Sequence, residues 1–205
     1  MKGAIVGVDP YMPLASVVIF QYNPDTLTRS IRPHYSEENA AKSEILRLSG
    51  APDEQIRVEI DIDATDQLGE GDELSKALGI TPQLSALELL AYPKSPFVIA
   101  NTIALAAGMI EVVPTTGPFT LFVWGPKRVL PVRVNELSIT EEMYDPQLNP
   151  IRAKASLTLK VLSYNDLPVT HPGYYVYLAH QILKEAMGNL NSVTGIGGAV
   201  KDLIK

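Results

Sequence analysis

The residues that could do chemistry in this chain are few and scattered. Three histidines occur, His34, His171 and His180. A helical metal site pairs a histidine with a second ligand at i+3 or i+4, and none of the three has such a partner. His34 and His171 adjoin prolines in predicted turns, which suits a structural role. Asp61, Asp63, Asp66, Glu70, Asp72 and Glu73 form an acidic cluster. Carboxylates are hard oxygen ligands suited to calcium, but the run has no correctly spaced glutamate after a central glycine. It reads as a solvated or partner-facing acidic loop. Gly195-Ile-Gly-Gly198 looks like a phosphate-loop fragment, yet it follows a predicted helix and not a strand. No nucleophile elbow and no Ser/His/Asp set stands out. These residues name no reaction and call for no cofactor and no metal, so the reading is a structural or binding protein and not an enzyme.

Composition narrows the class further. The 205 residues are 46% hydrophobic and 20% charged, a globular balance with room for a sizeable core. Cysteine is absent, so neither a disulfide framework nor a thiolate metal site can form. The formal charge is −6 and no Lys/Arg stripe is present, which argues against nucleic acid as a partner. The N-terminal apolar run is broken at Asp9 and Pro10, too soon for a signal peptide, and a cytoplasmic protein is the default expectation. The most membrane-like window, Phe97–Val113, holds Asn101, Thr102, Gly108 and Glu111 and is shorter than a usual span. It reads as a buried helix or strand, with no membrane insertion.

What would position any site is a set of strands. Ser16–Tyr22 is rich in β-branched and aromatic residues. Pro24 cannot donate to a sheet, and it pushes Asn23 out of helical geometry. Leu27–Ile31 alternates again, so Asn23-Pro-Asp-Thr26 reads as a tight turn between two strands. Gln55–Asp63 alternates most clearly, with Ile56, Val58, Ile60 and Ile62 on one face and Arg57, Glu59, Asp61 and Asp63 on the other. Phe119–Trp124, Arg128–Ile139 and Ile151–Tyr164 follow the same rule. The last two make a long hairpin around the Pro-rich loop Tyr144–Pro150.

Between these strands the pattern changes to helix. Asp66–Gly79 holds a short helix ending at Gly79. Thr81-Pro82 suits a helix start, with Thr at the N-cap, and Tyr92-Pro93 stops that helix. Tyr174–Gly188 reads as a terminal helix that Gly195, Gly197 and Gly198 then loosen. The expected fold is mainly β within an α+β class, an antiparallel barrel or sandwich of about seven strands with an internal and a C-terminal helix.

Taken in order, five pieces of this pattern resemble the tube-protein domain of bacterial contractile injection systems and phage-tail-like particles. Phe20-Gln-Tyr-Asn-Pro24 resembles the family's opening strand and turn. Ile60–Asp66 resembles the end of its outer strand, and Leu87–Pro93 its internal helix. Phe119–Gly125, with its Trp-Gly pair, resembles the next strand. Tyr144-Asp-Pro146 with Asn149–Ala153 resembles its hairpin loop. The resemblance covers residues 16–165. It implies a small β-barrel of the tail-tube type over 1–168, followed by a helical extension over 169–205. It implies a homohexameric ring that joins the inner tube to the baseplate hub or spike, in a particle assembled in the bacterial cytoplasm. The "FQYNP" form is similar to the tube-initiator or baseplate-adaptor branch, although the LysM module many adaptors carry is not seen after Pro168.

On this reading Phe20, Tyr22 and Trp124 lie in the core or at ring contacts, and Asn23 and Pro24 set turn geometry. Asp145 and Arg152 either pair across the hairpin base or stand separately in solvent. Tyr174, Tyr175, Tyr177 and Leu178 make the last helix sticky, docking it on a neighbouring baseplate protein, so that removing 171–205 spares folding. Two rival readings are a repeating tube subunit and a monomeric barrel that lines an apolar ligand cavity with residues 97–113.

Overall fold

Alternation in the Gln55–Asp63 run becomes the middle of a seven-stranded antiparallel sheet. The computed structural model describes residues 2–8, 16–35, 47–108 and 117–203, with side chains as far as residue 190. The strands are β1 (Ala4–Val8), β2 (Ser16–Ile19), β3 (Leu27–Arg32), β4 (Asp53–Asp63), β5 (Phe119–Val123), β6 (Val129–Tyr144) and β7 (Pro150–Val161). Their order in the sheet is β2-β1-β5-β6-β7-β4-β3.

The register of β4 on β7 explains the core. Ile56 faces Leu159, Val58 faces Leu157, Ile60 faces Ala155 and Ile62 faces Ala153. Because side chains alternate, aligning these pairs puts every apolar residue of both strands on one side. All eight are buried. β6 continues the rows with Leu137 opposite Leu157 and Ile139 opposite Ala155. Phe20, Phe122 and Leu130 close the core from the β1–β5 side.

The sheet is open, and the expected closed barrel and the expected β2–β3 hairpin are both corrected by its topology. β2 and β3 are neighbours in sequence but occupy opposite edges. The chain between them crosses from one edge to the other. β3 pairs only with Asp53–Val58, which leaves Glu59–Asp63 without a strand on that side. Pro24 has no N–H to continue a ladder there. Side chains tack the seam instead: Asp63 N donates to Gln21 Oε1 at 3.0 Å, and Gly3 N to Asn23 Oδ1 at 2.8 Å. A cavity of about 270 Å³ remains between Val17–Gln21 and Ile60–Ile62.

The helices are α1 (Thr65–Glu70), α2 (Glu73–Leu78), α3 (Thr81–Glu88), α4 (Ser95–Ala106) and α5 (Pro172–Leu203). Asp72 caps α2 by accepting from Ser75 N at 2.8 Å. Gly79 follows with φ +57°, where a Cβ would run into the carbonyl oxygen of Pro150. Ile80 N donates to that same oxygen at 2.8 Å, which fastens the helices to the start of β7. Thr81 is not the N-cap of α3; Ile80 holds that place and Thr81 begins the helix. Ile80, Leu84, Leu87 and Leu90 bury against the core.

Two expectations for helical segments are overturned. The apolar run from Phe97 does not go inside: α4 has no buried residue, and Val98, Ile99, Ile103 and Leu105 are exposed. The cavity that a ligand-binding barrel would need from this run is therefore missing among the described residues. The C-terminal glycines do not loosen the chain either, since α5 runs on through them to Leu203.

The start of α5 belongs to the core. Pro172 sits in its first turn, where a missing N–H costs nothing. Tyr177 is 3% exposed and meets Tyr164 edge to face at 5.8 Å. Gly173 is buried against Leu167 and Phe119. Tyr177→Ala is expected to cost about 3 kcal/mol in urea unfolding, in the range of large-to-small core changes. Deletion of 171–205 is expected to expose the same site and lower stability at least as much, contrary to the sparing of folding that the sequence suggested.

Candidate assembly surfaces

The hairpin of β6 and β7 carries the first surface. Its loop is organised by one carboxylate. Asp145 Oδ1 accepts from Gln147 N and Asn149 N, each at 2.8 Å, and Oδ2 accepts from Asn149 Nδ2 at 2.8 Å. Those donors, led by the Asn149 side chain, hold the Asp145 carboxyl below its usual pKa. Leu148 sits beside it with φ +66° and is 78% exposed. A left-handed leucine with its side chain in water is doubly unfavourable locally. Met143 and Tyr144 are exposed next to it.

Asp145 and Arg152 do not meet. Arg152 lies over the wet face of the sheet, 3.4 Å from Glu142 and 3.9 Å from Asp63, while Lys154 reaches Glu142 at 3.3 Å. The Asp63 carboxyl is held below its usual pKa, first by the Thr65 hydroxyl and then by Arg152. The result is a mixed-charge ladder across β4, β7 and β6 rather than a field of one sign.

The "FQYNP" segment divides by depth. Phe20 is buried, with its ring 6.2 Å from that of Trp124, which stacks on Phe122 at 5.8 Å. Trp124 is half-buried against the core. Tyr22 is exposed, its hydroxyl 3.5 Å from Asp66. Asn23 holds β1 through Gly3, and Pro24 is half-buried beside it.

The four residues singled out on the last helix also divide. Tyr175 is exposed, Tyr174 and Leu178 are half-buried, and Tyr177 is buried; only the first three can touch a partner. Tyr175, Ile182 and Leu190 are exposed at spacings of seven and eight, which puts them on one stripe of α5.

Sequence reasoning missed a buried charge cluster. Glu54 is 2% exposed yet ionised partners surround it: Arg29 Nη2 lies at 2.6 Å and Lys184 Nζ at 3.9 Å. The signal was present, because extending the alternation of β4 one step back from Ile56 puts Glu54 on the dry face. His180 of α5 is buried nearby, and neither ring nitrogen has a hydrogen-bond partner among the described residues. Burial, and then Lys184, push its pKa below the ordinary 6.5. His34 pairs with Asp53 at 3.0 Å, and His171 Nδ1 accepts from Gly173 N at 3.1 Å. Among the described residues no three His, Asp or Glu side chains gather as a metal set, and no helix is long and apolar enough to cross a membrane.

Strand edges without a partner among the described residues and an exposed apolar helix are features that suit contact with other chains. A family model described as contractile injection system tube protein matches residues 12–167, and the chain belongs to that family. A search of curated proteins found no match.

Two changes test the buried cluster. Arg29→Ala strands Glu54 without its closest cation and is expected to cost about 3 kcal/mol in denaturant unfolding, as for a broken buried pair. His180 holds a proton less readily in the fold than in the unfolded chain. The unfolded chain therefore binds more protons as pH falls below 6.5, and stability drops until the folded pKa is passed. His180→Asn is expected to flatten the loss of stability between pH 7 and 5, read by thermal melts across that range.

Proposed function

We propose that this chain forms a homohexameric ring that joins the inner tube of a contractile injection system to its baseplate hub or spike and starts tube assembly. Membership of the tube family supplies the structural role in such a particle. The observation that carries the rest is the free edge of β6. β5 pairs only with Val129–Val132, while β7 pairs along the other edge as far as Tyr144. Among the described residues, 133–144 thus present one strand edge to no partner. A strand edge of that length is a template for a neighbour's strand. The outer edges of β2 and β3 offer different strands to receive it, as a cyclic ring of heterologous contacts requires.

The hairpin is suited to such a contact in other ways. Its β6 strand is exposed at every position from Thr140 to Tyr144, and its tip spends backbone strain on an exposed Leu148. The "FQYNP" turn favours the initiator over the repeating tube subunit, which is the second reading. The role is structural and non-enzymatic, with the tube protein and a baseplate protein as neighbours, and the exposed stripe of α5 as the face for the latter.

Solution mass and negative-stain microscopy of the purified chain test this. Rings with a central hole are expected, stopping at one layer or requiring the hub protein; long stacks from the chain alone would favour the repeating subunit. A persistent monomer, with and without the hub protein, would reject both. Tyr144→Asp at the exposed hairpin tip is expected to reduce ring yield at least tenfold while changing unfolding stability by less than about 0.5 kcal/mol.

A further inference from the structure

A second pocket, of about 330 Å³, opens between α5, β3 and the β5–β6 turn. Its polar lining is strongly cationic: Arg29, Lys127, Arg128 and Lys184. The carboxylate facing them is Glu54, already clamped by Arg29. Arg128 feels both Arg29 and burial, which lower its pKa. Lys127 and Arg128 have no ion pair among the described residues. His180 lines the same pocket, 8% exposed and with both nitrogens unpartnered. The remaining wall is apolar, made by Trp124, Leu183 and Met187. Such a lining suits an anionic group carried next to an apolar one.

The chain presents that combination elsewhere on its own surface. Glu73 opens α2 with its side chain 93% exposed, held by a surface ion pair with Lys76 at 3.3 Å that an incoming site can replace, and Leu74 beside it is exposed as well. Asp72 precedes them. The segment is held firmly, by the Asp72 cap at one end and at the other by Ile80 N donating to Pro150 O and Asn149 Nδ2 donating to Ala77 O. The pocket lies at the start of β6 and the acidic segment at its far end. Even the pocket's nearest wall, Arg29, is level with Leu159, nine residues along β7 from Pro150 and so roughly 30 Å away at 3.3 Å per residue. A chain therefore cannot fill its own pocket through this segment, and a contact between copies must run head to tail.

We propose that the cationic pocket is a carboxylate-accepting site for a second copy of this chain, with Asp72-Glu73-Leu74 as the segment it takes. Glu73 enters among the Lys127, Arg128 and Lys184 head groups, and Leu74 lies against Trp124, Leu183 and Met187. The contact deepens the assembly reading but is measurable without rings. It is a charge-steered contact, so it weakens as salt rises.

The test uses full-length Glu73→Lys and Lys127→Glu chains, both altered at surface positions. Trp124 is the only tryptophan, so its emission reports on this pocket. Sedimentation over a concentration series is expected to show self-association of the unaltered chain. Each variant alone should associate at least tenfold more weakly. An equimolar mixture should recover pairing, because one intact contact remains between unlike chains, and Trp124 emission should shift on mixing. Unaltered association in either variant, a mixture that fails to recover pairing, or recovery without a Trp124 shift would overturn the site. An unaltered chain that never self-associates would overturn the assignment to a second copy. Rings that survive both substitutions would overturn this contact and leave the ring reading intact; head-to-tail pairs with no rings would do the reverse.

Discussion

Everything in this fold hangs on β7 being paired along both of its edges. β4 takes one side from Arg152 to Lys160, and β6 takes the other over nearly the same span. The pairing aligns Val58, Leu157 and Leu137 in one row and Ile60, Ala155 and Ile139 in the next. A slip of one residue would turn the whole buried set outward and place charges in the core. The register is thus fixed by burial, and it keeps β7 in the core as far as Pro150.

That anchoring matters because the end of β6, from Thr140 to Tyr144, is exposed. A hairpin alone in water is marginal, but here one strand is anchored in a three-strand ladder. β6 can then present an unpaired edge and an exposed tip without fraying. The same trade appears at the open seam, where Gln21 and Asn23 replace ladder bonds with side-chain bonds to backbone. Edges left free at such cost are the features expected of a subunit that completes its sheet with a neighbour, in keeping with the tube family to which the chain belongs.

Glu54 links parts that lie far apart in the chain. Through Arg29 it joins β3 to β4, and through Lys184 it reaches α5. A buried carboxylate needs such partners, since desolvation would otherwise neutralise it. Placing it under α5, together with the buried Tyr177, ties the start of that helix to the sheet. Tyr175 and Ile182 on the outward side of the same helix are exposed.

The sequence by itself determined β4 and β7, their inward faces and the hairpin, because strict alternation in those strands and the prolines around Tyr144–Pro150 are local signals; β1 at Ala4–Val8 escaped it. It also marked Glu54 as inward, to a reader who extended the alternation one step. Only the tertiary structure decided that β2 and β3 part to opposite edges, since strand pairing is a long-range choice that a turn sequence such as Asn23–Thr26 does not encode. It decided that the apolar run in α4 faces water and that Tyr177 does not, because composition sets how apolar a helix is but not what packs on it. It separated Asp145 from Arg152, though only seven positions divide them, because one caps its own loop and the other joins charges from two other strands. The meeting of Arg29, Arg128, His180 and Lys184 is likewise tertiary: four groups from three distant segments converge only after the sheet has folded and α5 has been laid across it.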